Sequence, residues 1–162
     1  KVANFIMNDK CAAGTGRFLE VIAETLGVRL SDMGPLSLTA ESSVQISNMC
    51  TVFAEHEVTS RLAEGAKIPD IVAGLHDAIA GRVFNMVRTL GIEKDVVVTG
   101  GGAKNIGLVR AIEKRTGFPI LTPPEPFITG ALGAALLGRD FAARGMKRGT
   151  RKQEEVTFFS KK

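Results

Sequence analysis

Two kinds of residue in this sequence have the chemistry to form a site: its two cysteines and a run of three glycines. Cys11 lies in residues 8–20, where an apolar run leads through small residues into a helical pattern. The start of a helix favours an anion and lowers the pKa of a thiol, because its amides are unpaired and its dipole is positive there. A thiolate, a metal cluster or a phosphate would fit this position. A plain glycine-rich turn with an incidental cysteine fits it too.

The second cysteine also precedes a helical pattern. Cys50 is followed by Val52 and Phe53, and the pattern continues toward Gly65. We expect Asn48 or Thr51 to cap this helix. Both cysteines are therefore predicted at or near helix N-termini. The chain has only these two cysteines and no signal-peptide pattern, so a reduced, cytoplasmic setting is expected. A cysteine pair there more often binds a metal, is catalytic or is merely buried than forms a disulfide.

The three glycines follow an apolar run at residues 95–99. Glycines at the carboxyl end of a buried parallel strand let a ligand lie against bare backbone, and the next helix offers its amides to phosphate or ribose oxygens. The spacing is neither that of a phosphate-binding P-loop nor that of a dinucleotide fingerprint. The run predicts a nucleotide or phosphate contact. The alternative is a tight turn, which usually needs one glycine.

Strands and helices alternate around these residues. We expect strands at residues 2–7, 95–99 and 119–122, the first of them buried, and helices at residues 18–26, 51–64, 69–90, 106–116 and 128–137. The order strand, helix, strand, helix from residue 95 onward predicts an α/β unit with a parallel sheet and a right-handed crossover.

Two further predictions concern residues 31–35 and the long helix at residues 69–90. Residues 31–35 combine serine, aspartate, glycine and proline, which predicts a loop or a helix stop. On the long helix at residues 69–90, apolar residues recur on one face, and the polar side chains are expected to point outward: His76, Asp77, Arg82 and Arg88.

Composition narrows the class of function. The 162 residues are 44% hydrophobic, enough for one domain with a proper core. The net charge of +4 arises partly in residues 147–162, and no basic stripe is interleaved with aromatic residues. With neither Trp nor Tyr, the chain offers no stacking platform for bases, so nucleic-acid binding is not expected. No 18-residue apolar span is present, so no membrane association is expected.

Three stretches together resemble one known family. Residues 8–20, 49–55 and 98–105 are similar, in order and type, to the BadF/BadG/BcrA/BcrD-type ATPases, and the ending at 129–135 fits as well. These are the activators of 2-hydroxyacyl-CoA dehydratases and the ATPase subunits of benzoyl-CoA reductases.

The resemblance implies a fold. It covers residues 1–140 and implies an α/β, ribonuclease-H-like second lobe of the actin, Hsp70 and sugar-kinase superfamily, truncated at its N-terminus. Residues 141–162 then form a basic polar tail. Family members also carry an N-terminal lobe and phosphate-binding loops that this sequence lacks. The isolated chain is therefore expected to hydrolyse ATP poorly or not at all, and no catalytic residue is assigned.

The resemblance also implies cofactors. Members share one 4Fe-4S cluster between two subunits and bind ATP or ADP with Mg²⁺. Two cysteines per chain cannot complete a four-thiolate cluster, but two chains can. By resemblance Cys11 and Cys50 are the cluster ligands, and Glu55 is a weaker candidate for reaching the nucleotide. The residues expected on the adenosine side of the cleft are Gly100, Gly101, Gly102, Ala103 and Asn105.

The implied activity is an ATP-dependent one-electron transfer. The partners would be a second copy or a paralogous subunit, a 2-hydroxyacyl-CoA dehydratase or acyl-CoA reductase component, and ferredoxin or flavodoxin as electron donor. The alternative is a non-catalytic actin-like nucleotide-binding or interaction module without a cluster, whose cysteines are buried or bind zinc.

Overall fold

The computed structural model of the chain describes residues 2–8, 16–47 and 50–144. The chain separates into two compact units, Lys1–Thr129 and Gly130–Lys162. The described part is α/β and mostly helical. Its elements in chain order are α1 (Gly16–Thr25), α2 (Leu30–Leu38), α3 (Thr51–Ala63), α4 (Ile68–Val87), β1 (Val96–Val97), a 3₁₀ helix (Gly101–Lys104), α5 (Ile106–Thr116), β2 (Ile120–Leu121) and α6 (Thr129–Ala143).

The core of the first unit is built around α4. This helix packs most extensively against α5 and α2, while α1 packs against α3. Each large apolar side chain that is fully buried contributes about 1.5–3 kcal/mol to folding. The largest of these in the core are Ile22, Met33, Ile71, Leu75, Val58 and Val72.

The sheet consists of two short parallel strands among the described residues. Val96 pairs with Ile120 and Val97 with Leu121, and α5 connects the two strands. The predicted parallel arrangement is confirmed. The prediction that the strand at residues 95–99 is buried is wrong, because Val96 is only partly buried and Val97 is 54% exposed.

Helix α5 matches its predicted bounds residue for residue. It begins at Ile106, with the Asn105 side chain accepting a hydrogen bond from Leu108 N. It ends at Thr116, after which Gly117 takes the left-handed conformation with φ of 75°. A polar N-cap and a glycine C-cap satisfy the unpaired groups at the two ends, and both can be identified from sequence.

The predicted loop at residues 31–35 is wrong, because these residues lie inside α2. Pro35 removes one backbone donor from the helix, which ordinarily disfavours this conformation. Tertiary packing compensates: Met33 is fully buried, and Gly34 lets α2 approach the start of α5. A Cβ added at Gly34 would lie 3.0 Å from Asn105 Oδ1.

The predicted buried strand at residues 2–7 is also wrong. Residues 2–8 carry no assigned secondary structure, and Phe5 and Met7 are 70% and 78% exposed. A strand needs a neighbour to pair its backbone groups and cover its side chains, and the described part of the chain provides none for this segment.

Helix α4 follows the predicted long helix, but its outward face differs. The prediction that His76 points outward is wrong, since only 1% of its surface is exposed. Asp70 in the first turn is also buried. Its carboxylate accepts hydrogen bonds from Ser42 N, Ser42 Oγ and Glu41 N at 3.0–3.1 Å, and these bonds, those of Ser42 foremost, hold its pKa below the ordinary value.

Helix α6 is longer than predicted and reaches Ala143, but it buries none of its residues. Residues 145–162, most of the predicted tail, lie outside the described residues. None of the helices in the described ranges is long and apolar enough to cross a membrane.

Candidate functional site

A cavity of about 310 Å³ lies beside the glycine run in the first unit. We call it the glycine-turn cavity. Four segments far apart in sequence form its walls: the start of α1, the start of α2, the turn at residues 101–105, and the loop after β2. The residues that line it are Gly16, Leu19, Glu20, Leu30, Ser31, Gly101, Gly102, Lys104, Asn105 and Phe127.

The glycine run forms a compact turn after β1. Gly100 has φ of 81°, in the left-handed region that favours glycine. Its amide donates to Pro126 O at 2.9 Å, and its carbonyl accepts from Ala103 N at 3.1 Å. The turn is thus tied to the loop after β2.

Two glycines leave backbone exposed in the cavity wall. A Cβ added at Gly16 would meet no atom within 4 Å, so a side chain there would extend into open space. A Cβ at Gly101 would lie 3.0 Å from Cε1 of Phe127. The space at Gly16 is thus open to a ligand, whereas the missing side chain at Gly101 makes room for the Phe127 ring.

Phe127 gives the cavity an aromatic surface. Its ring is 64% exposed, and Lys104 Nζ lies 4.7 Å from the ring centroid. The same ammonium group is 3.5 Å from the Glu125 carboxylate. An accessible ring beside a cation can stack on a flat ligand and attract a negative charge. The sequence analysis missed Phe127; the only local signal was its place after a proline-rich turn.

Asn105 contributes its side chain from the first position before α5. Oδ1 accepts from Leu108 N at 3.0 Å, and Nδ2 lies 3.0 Å from Nε2 of His76. Burial lowers the pKa of His76 to about 4, although Asp77 acts in the opposite direction. His76 is therefore neutral at physiological pH, and its Nε2 is free to accept the amide hydrogen.

The structure brings together some of the residues predicted to contact a nucleotide. Gly101, Gly102 and Asn105 wall the cavity, while Gly100 and the buried Ala103 build the turn behind it. Glu55 is exposed on α3 and is not one of the wall residues. Its carboxylate accepts a hydrogen bond from Thr25 Oγ1 at 3.4 Å.

Cys50 lies at the N-terminus of α3, as predicted. It is itself the N-cap, with φ of −79° and ψ of 129°, so the predicted caps Asn48 and Thr51 are wrong. Its side chain makes no capping hydrogen bond and is exposed. Cys11 lies outside the described residues. Within the described ranges, no group of three or more His, Cys, Asp or Glu side chains is arranged to hold a metal ion.

The segment before Cys50 is anchored to α3. The backbone amide and the hydroxyl of Ser47 both donate to the Glu57 carboxylate, each at 3.1 Å. On its other side α3 buries Ala54 and Val58. Because α3 packs on α1, and α1 supplies Gly16, Leu19 and Glu20 to the cavity, one packed pair of helices connects the cavity to Cys50.

Known proteins match the chain over most of its length. The family model described as the BadF/BadG/BcrA/BcrD ATPase family matches residues 1–138. The 2-hydroxyisocaproyl-CoA dehydratase activator of Clostridioides difficile is 50% identical over 147 residues, which are 91% of this chain and 55% of that protein. The (R)-2-hydroxyglutaryl-CoA dehydratase activating ATPase of Acidaminococcus fermentans is 50% identical over 143 residues, which are 88% of this chain and 55% of that protein.

A solved structure agrees with these relatives. The activator of the 2-hydroxyisocaproyl-CoA dehydratase from Clostridium difficile, with bound ADPNP, matches with a TM-score of 0.84 and 47% identity. The match covers 99% of this chain and 57% of that one, so the chain spans about half the length of the relatives it matches. The match to residues 1–138 shows that the chain belongs to the BadF/BadG/BcrA/BcrD ATPase family.

Proposed function

We propose that this chain binds the nucleoside part of ATP or ADP and holds one side of an iron–sulfur site in an ATP-dependent activator of a 2-hydroxyacyl-CoA dehydratase. The observation that carries the proposal is the glycine-turn cavity, in a chain similar to an activator solved with bound ADPNP. Activity of the whole protein is part of the proposal, because the chain spans only 55% of its relatives.

The chemistry of the cavity suits adenosine. Its volume of about 310 Å³ is at the lower end of the range for small-molecule sites, about 300–1,000 Å³. Leu19, Leu30 and Phe127 offer apolar and aromatic surface to a purine, while Ser31 and Asn105 offer hydrogen bonds. A nucleoside fills such a volume, so the phosphates and their Mg²⁺ would lie at the mouth, where Lys104 carries a positive charge.

The fold is consistent with the lobe that the resemblance implies. Two parallel strands are joined by α5, and the glycine turn leaves the carboxyl end of the first strand. Ligands of open α/β sheets bind at that end of the strands. We therefore assign residues 1–140 to a ribonuclease-H-like second lobe and residues 141–162 to a basic tail.

Cys50 suits a group shared between chains. Its thiol is exposed at a helix start and has no capping role, so it is available to a ligand outside its own chain. With Cys11, which lies outside the described residues, two copies would supply the four thiolates of a 4Fe-4S cluster. When bound, the cluster would supply one-electron transfer from ferredoxin or flavodoxin to the dehydratase.

Packing offers a route by which nucleotide and cysteine could influence each other. Helix α1 forms part of the cavity wall and packs on α3, whose first turn begins at Cys50. A ligand that shifts α1 would therefore also shift α3, and with it the position of Cys50 at the start of α3. The proposal therefore joins the cavity and Cys50 through the packed pair of helices α1 and α3.

The test combines nucleotide and iron measurements on the 162-residue chain. We expect saturable binding of a fluorescent ADP analogue that unlabelled ADP displaces. We also expect about four iron atoms per two chains after anaerobic reconstitution. Nucleotide binding without iron would favour the alternative, an interaction module without a cluster. Absence of both would contradict the proposal.

A further inference from the structure

His76 is an ionisable residue placed where an apolar one would ordinarily be expected. It lies in the middle of α4 and is 1% exposed. Helices α2, α4 and α5 meet around it: a Cβ added at Gly107 of α5 would lie 2.8 Å from His76 Nδ1 and 2.9 Å from Gly34 O of α2. A buried polar group without compensation destabilises a fold, so its presence here calls for a partner.

The partner of His76 is the Asn105 side chain. Asn105 Oδ1 already accepts from Leu108 N, which places Nδ2 toward the histidine, 3.0 Å from Nε2. Because an amide nitrogen can only donate, Nε2 must accept, and the neutral ring then carries its proton on Nδ1. Among the described residues Nδ1 has no hydrogen-bond partner. The histidine therefore makes one hydrogen bond, and that bond is directed at Asn105.

This bond fixes both ends of the Asn105 amide. The cap of α5 holds Oδ1, and His76 holds Nδ2. A flipped amide would face Leu108 N with a donor and lose the cap bond, and it would keep its bond to His76 only if the ring proton moved to Nε2. The fixed amide keeps one N–H and one acceptor position of Oδ1 for a ligand. Since Asn105 is a wall of the glycine-turn cavity, these are the groups a nucleoside can use.

We propose that His76 is a positioning residue of the nucleotide site: it holds the Asn105 amide in the one orientation that serves both the helix cap and the nucleoside. This inference rests on the proposed function. It adds His76 to the site, a residue of α4 that does not line the cavity but contacts the wall residue Asn105. A histidine that only fills the core would be replaceable by any apolar side chain of similar size.

The test is a double-mutant cycle on the 162-residue chain, with the dissociation constant of a fluorescent ADP analogue as the readout. His76→Met removes the acceptor, His76→Gln keeps one, and Asn105→Ser keeps a good helix cap but removes the amide. One hydrogen bond changes affinity by about 2- to 10-fold, so we expect His76→Met to weaken binding by about fivefold. His76→Gln should recover most of the loss. In the Asn105→Ser background, His76→Met should cause no further loss.

Two results would overturn the inference while leaving the proposed function intact. One is an equal loss of affinity from His76→Met in the wild-type and the Asn105→Ser backgrounds. The other is a His76→Met variant that binds the nucleotide as tightly as the wild-type chain. If the wild-type chain binds no adenine nucleotide, the proposed function fails and the inference fails with it.

A second measurement reads the positioning directly and does not depend on nucleotide or on a stable variant. ¹⁵N spectra of the wild-type chain report which imidazole nitrogen of His76 carries the proton. We expect the proton on Nδ1, with the Asn105 side-chain amide protected from hydrogen exchange. A proton on Nε2 would overturn the proposed contact.

Discussion

The glycine-turn cavity and the start of α3 at Cys50 are built in opposite ways. The cavity is assembled from four separate segments, and its Asn105 is held from behind by a buried histidine. Cys50 lies at a helix start, and its exposed side chain makes no capping hydrogen bond. Its neighbours Val52 and Phe53 are about 60% exposed. The cavity is thus organised within the chain, whereas the exposed thiol of Cys50 is the group that the proposed function assigns to a ligand outside it.

The largest expected effect separates the two regions. Cys50→Ser should abolish iron incorporation after anaerobic reconstitution, because a serine hydroxyl is a poor replacement for a thiolate ligand. The affinity for ADP should stay within about twofold of wild type, which is the lower limit of what a single hydrogen bond contributes. Iron and sulfide analysis beside an ADP titration makes the comparison, with Ser60→Ala on the same helix as the control. Equal damage to both readouts would mean that the two regions are not separate.

The second prediction alters the cavity alone. Gly101→Val places a branched side chain where even a Cβ would lie 3.0 Å from the Phe127 ring. The exposed ring must move aside, which removes its contact with the base, worth about 0.5–1.5 kcal/mol, so ADP affinity should fall by about 2- to 10-fold. Gly130→Val is the control, since a Cβ at Gly130 meets no atom within 4 Å. Unchanged affinity in Gly101→Val would place the nucleotide elsewhere.

The third prediction perturbs the segment that leads to Cys50. A Cβ at Gly74 would collide with the backbone carbonyl of Val44, so Gly74→Ala forces residues 40–47 to move. We expect the free energy of unfolding to fall by about 2–3 kcal/mol. A Cβ at Gly81, on the same helix, would make only ordinary contact with the Arg115 side chain at 3.9–4.0 Å, so Gly81→Ala should raise it by up to about 1 kcal/mol. Denaturant unfolding compares the two, and a similar result for both would contradict the close approach at Gly74.

The fourth prediction uses pH on the histidine behind the cavity. Folding lowers the pKa of His76 from 6.5 to about 4. Below about pH 6.5 the His76 imidazole binds a proton in the unfolded chain but stays neutral in the folded chain. The free energy of unfolding should therefore decrease from pH 6.5 to pH 4. The full difference is on the order of 3 kcal/mol.

His76→Met supplies the control for that prediction, because it should flatten this part of the pH profile. The lowered pKa of Asp70 also makes stability fall at acid pH, but only below the ordinary carboxyl range. The pKa of Glu113 is lowered too, from an ordinary value of 4.5, so the histidine is isolated by the difference between wild type and His76→Met above about pH 5.5. A wild-type profile as flat as that of the variant would contradict a buried, neutral His76.

Sequence reasoning worked where local chemistry decides. The bounds of α5 are confirmed because Asn105 and Gly117 satisfy the helix ends by themselves. The helix start near Cys50 is confirmed too, although the predicted caps are wrong and the Cys50 side chain makes no capping hydrogen bond. The glycine run forms a turn after β1 and two of its glycines wall the cavity, while its contact with a nucleotide stays a prediction.

It failed where distant segments decide. Pro35 predicted a break, but burial of Met33 and the contact of Gly34 with α5 keep the helix intact. His76 read as an outward residue because its partner Asn105 is 29 positions away. Phe127 entered the cavity through packing of its loop on the glycine turn. No periodicity in a single segment carries that information.

The most direct test of the nucleotide site is an amide chemical-shift map of the ¹⁵N-labelled chain titrated with ADP. The account predicts that the largest shifts occur at Gly101, Gly102 and Asn105, together with Phe127. The amides of Glu55 and its neighbours on α3 should move less. Largest shifts on α3, or no saturable shifts at all, would contradict the claim that the glycine-turn cavity binds the nucleoside.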